Sequence, residues 1–136
     1  MTRSGARCKV TRVAALLVAL GGAFGTLLRF GVNLWCVQLG PAWPFATTFV
    51  NLLGSFGLAF ISRTLPDRSW LGVPLTLVIG TGMFGGFTTY SSFNLEVLLL
   101  FQRGDSVRAL AYVLVTVLGC LAAGLFGFWC AARMGV

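Results

Sequence analysis

The sequence contains no histidine and only three acidic residues, Asp67, Glu96 and Asp105. Acid–base and nucleophilic catalysis depend on such groups lying beside one another, and no paired carboxylate or nucleophile–base arrangement can be assembled from so few. The four cysteines show no C-x-x-C spacing, and without histidine they supply no typical zinc ligand set. We therefore interpret the cysteines as small apolar residues and expect the protein not to be an enzyme.

Charge is also scarce, since charged residues make up 10% of the 136 residues and the stretches 30–62, 69–95 and 109–132 carry none. Each stretch exceeds the ~20 residues that a helix needs to cross ~30 Å of hydrocarbon. A membrane β-barrel would instead show short segments of alternating polarity. With a mean hydropathy of +0.91, the sequence predicts an all-α integral membrane protein.

Four apolar segments divide the chain, and we predict membrane helices over about residues 13–36, 45–65, 71–101 and 107–133. Glycine and proline in the connection 38–44 and the polar turn 66–69 separate the first three. These connections are too short to fold alone, so we expect a single membrane domain over residues 1–136. A cleaved signal peptide is an alternative for the first segment, but its hydrophobicity continues to Cys36, broken only by Arg29.

The third segment is long for one crossing and is rich in glycine, with Gly80, Gly82, Gly85 and Gly86 followed by a run of hydroxyl residues. Glycine is a poor helix former, and hydroxyl side chains bond backbone groups left free where a helix breaks. We predict a break near residues 82–88. Unwound backbone at membrane depth is tolerated only when it is buried in protein or lines a cavity, so such a break indicates a site.

The same glycines match the dinucleotide-binding pattern G-x-G-x-x-G over residues 80–85. That motif requires a strand, a turn and a helix in a soluble α/β unit. Because the match lies inside an apolar membrane segment, we reject this interpretation.

Polar residues inside the other segments follow helical spacing. The second segment carries Thr48, Asn51, Ser55 and Ser62 on roughly one face, and the fourth carries Tyr112 and Thr116 one turn apart. In the third segment Thr88, Ser91 and Ser92 are expected to share a face, with Tyr90 and Phe93 as a further pair at i, i+3. Such groups serve either as hydrogen-bonded packing contacts between helices or as the lining of a pathway.

Three polar residues stand out from this set. Asn51 carries an amide that needs both donors and an acceptor away from water, which favours a pore-lining role. Arg29 and Glu96 are the only charges well inside apolar segments. We expect a structural or electrostatic role for Arg29, with Asn33 as a possible partner, whereas Glu96 either faces the interior or extends to the membrane surface.

Most of the cations lie on one side of the four predicted crossings. That side holds Arg3, Arg7, Lys9, Arg12, Arg63, Arg68 and Arg133, and the other side holds Arg103 and Arg108. The positive-inside rule then predicts that both termini are cytoplasmic.

Three motifs carry a resemblance to a known family: GGAFGTLLR at 21–29, TFVNLLGS at 48–55 and GMFGGFTTYSSF at 82–93, followed by Glu96. In order and spacing they resemble the CrcB/Fluc fluoride channels over about residues 20–128. The resemblance implies a passive, fluoride-selective channel of the cell membrane that lowers cytoplasmic fluoride. It also implies an antiparallel, dual-topology dimer of four-helix subunits.

The resemblance further implies a sodium ion at the dimer axis, held by the backbone carbonyls of Gly85 and Thr88. It matches the pore asparagine to Asn51 and the two pore phenylalanines to Tyr90 and Phe93, whose electropositive ring edges suit an anion. Further donors to fluoride are expected among the hydroxyl residues Thr89, Ser91, Ser92, Tyr112 and Thr116.

Two departures from the family pattern leave alternatives open. Tyr90 adds a hydroxyl where the family usually has phenylalanine, and the charge bias is unusual for a subunit that inserts both ways up. We expect a homodimer, with a heterodimer of two related subunits as the alternative. Alternative functions are a small multidrug-type coupled exporter, which would need a carboxylate in the first helix, and an assembly subunit of a membrane complex.

Overall fold

The computed structural model describes residues 3–38 and 45–135, with side chains from residue 11 in the first range and from residue 46 in the second. The connection predicted over 38–44 lies outside this range beyond Gln38. The described residues are mostly helical: α1 (Arg3–Gln38), α2 (Phe45–Thr64), a π-helix (Leu77–Phe84), α3 (Gly85–Phe87), α4 (Tyr90–Gln102) and α5 (Ser106–Arg133). Strands β1 (Ser69–Trp70) and β2 (Val73–Pro74) form a small antiparallel hairpin between α2 and the π-helix.

Two of these helices are long and apolar enough to cross a membrane, namely α5 and the Thr11–Gln38 part of α1. In the most apolar stretch of each helix, only 6% of the residues of α1 and 17% of the residues of α5 are buried within the chain. A helix of this polarity at the core of a soluble protein would be mostly buried. The exposed apolar faces are therefore suited to lipid or to another membrane subunit.

The helices pack as two pairs whose members run parallel. Along α2 and α5, Thr48 contacts Thr116, Leu52 contacts Gly119, and the Phe56 carbonyl lies against Gly127. Along α1 and the third segment, Gly21 faces Val78 and Gly82, whereas Gly25 faces Met83 and Phe87. The start of α1, the ends of α2 and α5, and the hairpin consequently lie at one end of the bundle.

Glycine permits the contact between α1 and the third segment. A side chain at Gly21 would place its Cβ 2.7 Å from the Val78 carbonyl oxygen, and one at Gly82 would lie 2.9 Å from that of Val18. Side chains at Gly25 and Gly86 would overlap backbone atoms of Met83 and Gly22. These glycines thus provide a backbone-to-backbone interface of the kind that small residues make possible between membrane helices.

The helix ends follow local chemistry. α2 ends at Thr64, two residues before Pro66, where the proline disfavours continued helix. α4 ends with Gly104 in the left-handed region at φ 76°, as is common for a residue just past a helix. α5 begins next to an ion pair between Asp105 and Arg108 at 3.2 Å.

The third segment differs from its prediction in three ways. Its helical part begins at Leu75, just before the π-helix, rather than at residue 71, because residues 69–74 form the hairpin, a β element that the all-α interpretation did not include. Residues 82–87 are helical, because their glycines serve close packing rather than unwinding. The extended residues are Thr88 (φ −76°, ψ 159°) and Thr89 (φ −151°, ψ 111°), at the far limit of the predicted break.

The first helix also begins earlier than predicted, at Arg3, whereas α2 and α5 agree with their predicted ranges to within one residue. The hairpin turn consists of Leu71 at φ 52° and Gly72 at φ 75°, the positive values typical of a type I′ turn. A left-handed backbone costs a residue with a Cβ roughly 1–2 kcal/mol. Leu71 bears this cost although its side chain is 64% exposed.

The glycine interface leads to a stability prediction. Gly25→Ala is expected to destabilise the protein by roughly 1–3 kcal/mol, the usual cost of forcing extra atoms into a packed interface, because the added methyl overlaps the Met83 carbonyl. Thermal unfolding in detergent measures this cost. Gly31→Ala on the same helix is the matched control, since nothing lies within 4 Å of its Cβ position, and an equal effect of both substitutions would contradict the prediction.

Candidate functional site

The interruption of the third segment is held in place by Asn51 of α2. The Asn51 side-chain oxygen accepts a hydrogen bond from the Thr89 backbone N–H at 2.8 Å, and its amide nitrogen donates to the Thr89 carbonyl at 3.0 Å. One side chain therefore satisfies both backbone groups of the residue at the break. Unpaired backbone groups away from water are costly, so this pairing accounts for the presence of an amide at position 51.

Thr89 is also the N-cap residue of α4, immediately before its first residue Tyr90. Its side-chain oxygen accepts from the Ser92 backbone N–H at 3.2 Å and donates to the Ser92 hydroxyl at 2.9 Å. The Ser91 hydroxyl lies 3.4 Å from the same oxygen. Threonine is a favoured N-cap because its hydroxyl satisfies a free N–H of the first turn, so this helix start follows from the sequence.

These bonds release two particular carbonyl groups. In an unbroken helix the Thr89 N–H would donate to the Gly85 carbonyl and the Ser92 N–H to the Thr88 carbonyl. Both donors are instead directed to side chains, of Asn51 and Thr89. The carbonyls of Gly85 and Thr88, which are the predicted sodium ligands, thereby lose their helical donors and become available to another partner.

An open cavity of about 450 Å³ adjoins the break, at mid-length of α2 and α5. Its walls include six predicted site residues, namely Asn51, Gly85, Thr88, Tyr90, Phe93 and Thr116. Most of the remaining wall is small or apolar, from Gly54, Ser55, Leu58, Gly80, Phe84, Val117, Cys120 and Leu121. The cavity thus places a few polar groups on a largely apolar lining, a typical composition for a small-ligand site.

The two predicted pore aromatics lie at the cavity as a pair. The rings of Tyr90 and Phe93 are 5.8 Å apart, and Phe93 packs in turn against Tyr112 at 5.2 Å in a tilted arrangement. Phe93 is buried, but Tyr90 is 78% exposed. The Tyr90 side of the cavity is therefore open to whatever surrounds the subunit.

Four predicted residues, Thr89, Ser91, Ser92 and Tyr112, do not line this cavity. Thr88 was expected to share a helical face with Ser91 and Ser92. That expectation is wrong, because the break separates Thr88 from α4. Thr116 is buried and shares a hydrogen bond of 3.0 Å with Thr48, as their positions at the same level of neighbouring parallel helices require.

A second polar cluster lies behind Phe93. The Tyr112 hydroxyl donates to one oxygen of Glu96 at 2.6 Å, and the Thr47 hydroxyl donates to the other at 2.8 Å. Tyr112 and Thr47 are buried and Glu96 is half-buried, so this carboxylate faces the interior. Thr47 was not among the residues predicted from the sequence, although its spacing of i, i+4 placed it one helical turn before Asn51.

Arg29 lies half-buried on α1. Within residues 3–38 and 45–135 the structure records no hydrogen bond from Arg29 to Asn33, its expected partner. Three residues before Arg29, the Thr26 hydroxyl donates a hydrogen bond of 3.4 Å to the Gly86 carbonyl of α3 and so links α1 to the third segment.

Comparison with known proteins gives a consistent result over most of the chain. The family model described as "CrcB-like protein, Camphor Resistance (CrcB)" matches residues 16–128. A protein of Sorangium cellulosum is 42% identical over 118 residues, covering 86% of this chain and 93% of the relative. One from Anaeromyxobacter dehalogenans is 47% identical over 109 residues (79% and 86%), and one from Chloroflexus aurantiacus 40% over 113 residues (82% and 90%). All three relatives bear the name "Fluoride-specific ion channel FluC".

The pairing of Asn51 with the break is open to a direct test. Asn51→Ala leaves the Thr89 N–H and carbonyl without their partner, and each unsatisfied buried group costs ~1–3 kcal/mol. We expect a lower thermal midpoint in detergent and faster hydrogen exchange at the Thr89 amide. Asn33→Ala, an exposed position on α1, is the control, and unchanged exchange at Thr89 in Asn51→Ala would contradict the assignment.

Proposed function

Since the chain belongs to the CrcB-like protein family, we propose that it is a fluoride-specific ion channel that lets cytoplasmic fluoride leave the cell passively. The observation that carries the proposal is the cavity beside the break, where Asn51, Thr116 and two aromatic rings converge. No enzymatic step belongs to this proposal. Transport through such a site requires only that an ion enter, lose part of its hydration and leave.

The chemistry of the cavity suits a small anion. Fluoride that leaves water must recover donor contacts. The cavity wall offers the second N–H of the Asn51 amide, beside the one that donates to Thr89, and the Thr116 hydroxyl, which can turn from Thr48. The edges of Tyr90 and Phe93 add partial positive charge without a full cation that would trap the ion. Conduction requires binding strong enough for entry and weak enough for exit, and a few neutral donors meet both conditions.

We extend the proposed pathway past Phe93 toward the second polar cluster, since this ring borders the cavity and also packs against Tyr112. The hydroxyls of Tyr112 and Thr47 are directed to Glu96. In the proposal these hydroxyls turn toward a passing anion, and Glu96 holds them in place between ions. Thr89, Ser91 and Ser92 support the start of α4 and complete the set of donors in the assembled channel.

The openness of the site supports a dimeric assembly. Tyr90 and Gly85 both border the cavity and are both exposed in the single subunit, which supports a second subunit that closes the site. We propose an antiparallel homodimer, with a related second subunit as the alternative partner. By the positive-inside rule, the cationic end of this chain favours the cytoplasmic side of the inner membrane, and an antiparallel homodimer requires that one of its two subunits insert the other way.

Sodium fits the two released carbonyls. Hard cations prefer neutral and anionic oxygen ligands, and the carbonyls of Gly85 and Thr88 are oxygens whose helical donors are directed elsewhere. Each subunit would supply two such oxygens at the dimer axis. A bound sodium ion would add a fixed positive charge and join the interrupted segments of the two subunits.

Fluoride efflux from sealed liposomes tests the function. Vesicles loaded with potassium fluoride and holding the purified protein are expected to release fluoride to an electrode once an ionophore dissipates the potassium potential. Vesicles loaded with potassium chloride instead should release little chloride under the same conditions. Efflux no faster than from protein-free liposomes would contradict the channel proposal, and proton uptake coupled to efflux would favour an exporter.

Thr116→Val, a change of nearly equal volume, serves as the site variant for this assay. Loss of one hydrogen bond to a charged species costs about 1.5–3 kcal/mol, so flux is expected to fall by roughly 10- to 100-fold while the protein remains dimeric. Thr64→Val is the matched control, because its hydroxyl bonds the Phe60 carbonyl near the end of α2, away from the cavity. If the chain were an assembly subunit, Thr116→Val would change its oligomeric state, and neither variant would conduct fluoride.

The sodium proposal predicts a cation-dependent stability. A ligand at a hundred times its dissociation constant raises stability by about 2.7 kcal/mol, so the thermal midpoint in detergent should be higher in sodium than in potassium salt. Asn51→Ala removes the bonds that hold Thr89 extended and so no longer fixes the Gly85 and Thr88 carbonyls at the break; it should reduce this difference, whereas Asn33→Ala should keep it. Equal midpoints of the unmodified protein in both salts would count against a sodium site.

A further inference from the structure

The hairpin formed by β1 and β2 presents two large apolar side chains away from the protein. Trp70 is 56% exposed and Leu71 is 64% exposed, whereas Val73 on the opposite strand is fully buried against the bundle. A hydrogen bond of 2.8 Å from the Leu75 N–H to the Arg68 carbonyl closes the base of the hairpin. Because the hairpin is fixed in this way, its tip does not fold back to bury Leu71.

The turn residue itself is unusual. Position 71 lies in the left-handed region that favours glycine or asparagine, and yet it is occupied by leucine. The side chain gains little packing within the chain that would offset the strained backbone. Strain of this kind at an exposed position indicates a function for the side chain outside the subunit.

Charge around the hairpin indicates what the tip meets. The same end of the bundle carries Arg12, Arg63, Arg68 and Arg133, all exposed, against one exposed acid among the described residues there, Asp67. Arg133 lies 4.8 Å over the ring of Trp129, and tryptophan is enriched at the level of lipid headgroups. Since α2 is 20 residues long and spans about 30 Å, the hairpin follows just where the hydrocarbon core ends.

We propose that the hairpin anchors this end of the bundle in an anionic phospholipid surface. In this arrangement Leu71 and Trp70 lie at the boundary between acyl chains and headgroups, and the surrounding arginines contact lipid phosphates. The anchor is separate from the fluoride site, since neither Trp70 nor Leu71 lines the cavity. Basic residues next to a membrane segment attract anionic lipid by the same electrostatics.

Depth measurements test the position of the tip. A spin label on Leu71→Cys, in a chain whose own cysteines are replaced, is compared with one on Asp67→Cys in vesicles of phosphatidylcholine and phosphatidylglycerol. The label at 71 should collide more often with oxygen than with a water-soluble nickel complex, and the label at 67 should show the reverse. Water access at 71 equal to that at 67, or shielding from both reagents by protein, would overturn the proposal.

Quenching of Trp70 by brominated lipid provides a second measurement in a chain that keeps only this tryptophan. Bromine on phosphatidylglycerol should quench more than bromine on phosphatidylcholine, and Arg68→Gln should reduce the preference. Leu71→Asn, which suits the left-handed backbone, should reduce quenching by both lipids while fluoride efflux stays unchanged. Equal quenching by the two lipids in the unmodified hairpin, or quenching unaffected by Leu71→Asn, would refute the anchor without bearing on the channel.

Discussion

The bidentate hydrogen bonding of Asn51 to Thr89 is the interaction on which the rest of the site depends. A helix interrupted among apolar helices exposes backbone groups that no water satisfies, and one amide from a neighbouring helix supplies both partners. This pairing fixes the point at which the third segment is interrupted. It also directs the Thr89 N–H away from the Gly85 carbonyl. The same hydrogen bond that stabilises the break therefore leaves a carbonyl oxygen available for the proposed ion site.

Much of the helical framework could be predicted from the sequence because apolar length is a strong signal. The ranges of α2 and α5 agree closely with prediction since proline, glycine and charged residues mark their ends. Family membership was likewise predictable, because the three motifs keep their order and spacing. Asn51 could be singled out from the sequence because an amide inside an apolar membrane segment must find hydrogen-bond partners.

Other features depend on contacts between residues distant in sequence, which periodicity does not encode. Nothing local indicates that Asn51 pairs with a backbone 38 residues away, or that Tyr112 and Thr47 both donate to Glu96. The glycines of the third segment suggested unwinding, whereas they permit a π-helix and α3 to pack against α1. The short hairpin escaped prediction because two-residue strands have too few positions to show an alternating pattern.

The glycine contact between α1 and the third segment has a consequence for motion. Backbones that interlock at Gly21 and Gly25 on one side and at Gly82 and Gly86 on the other leave no room for the two helices to slide or rotate independently. With Asn51 bracing the break from α2, Thr88 and Thr89 lack the freedom of a hinge. In the proposed channel such a framework would keep the pathway in one shape, and the electrochemical gradient alone would set the direction of ion flow.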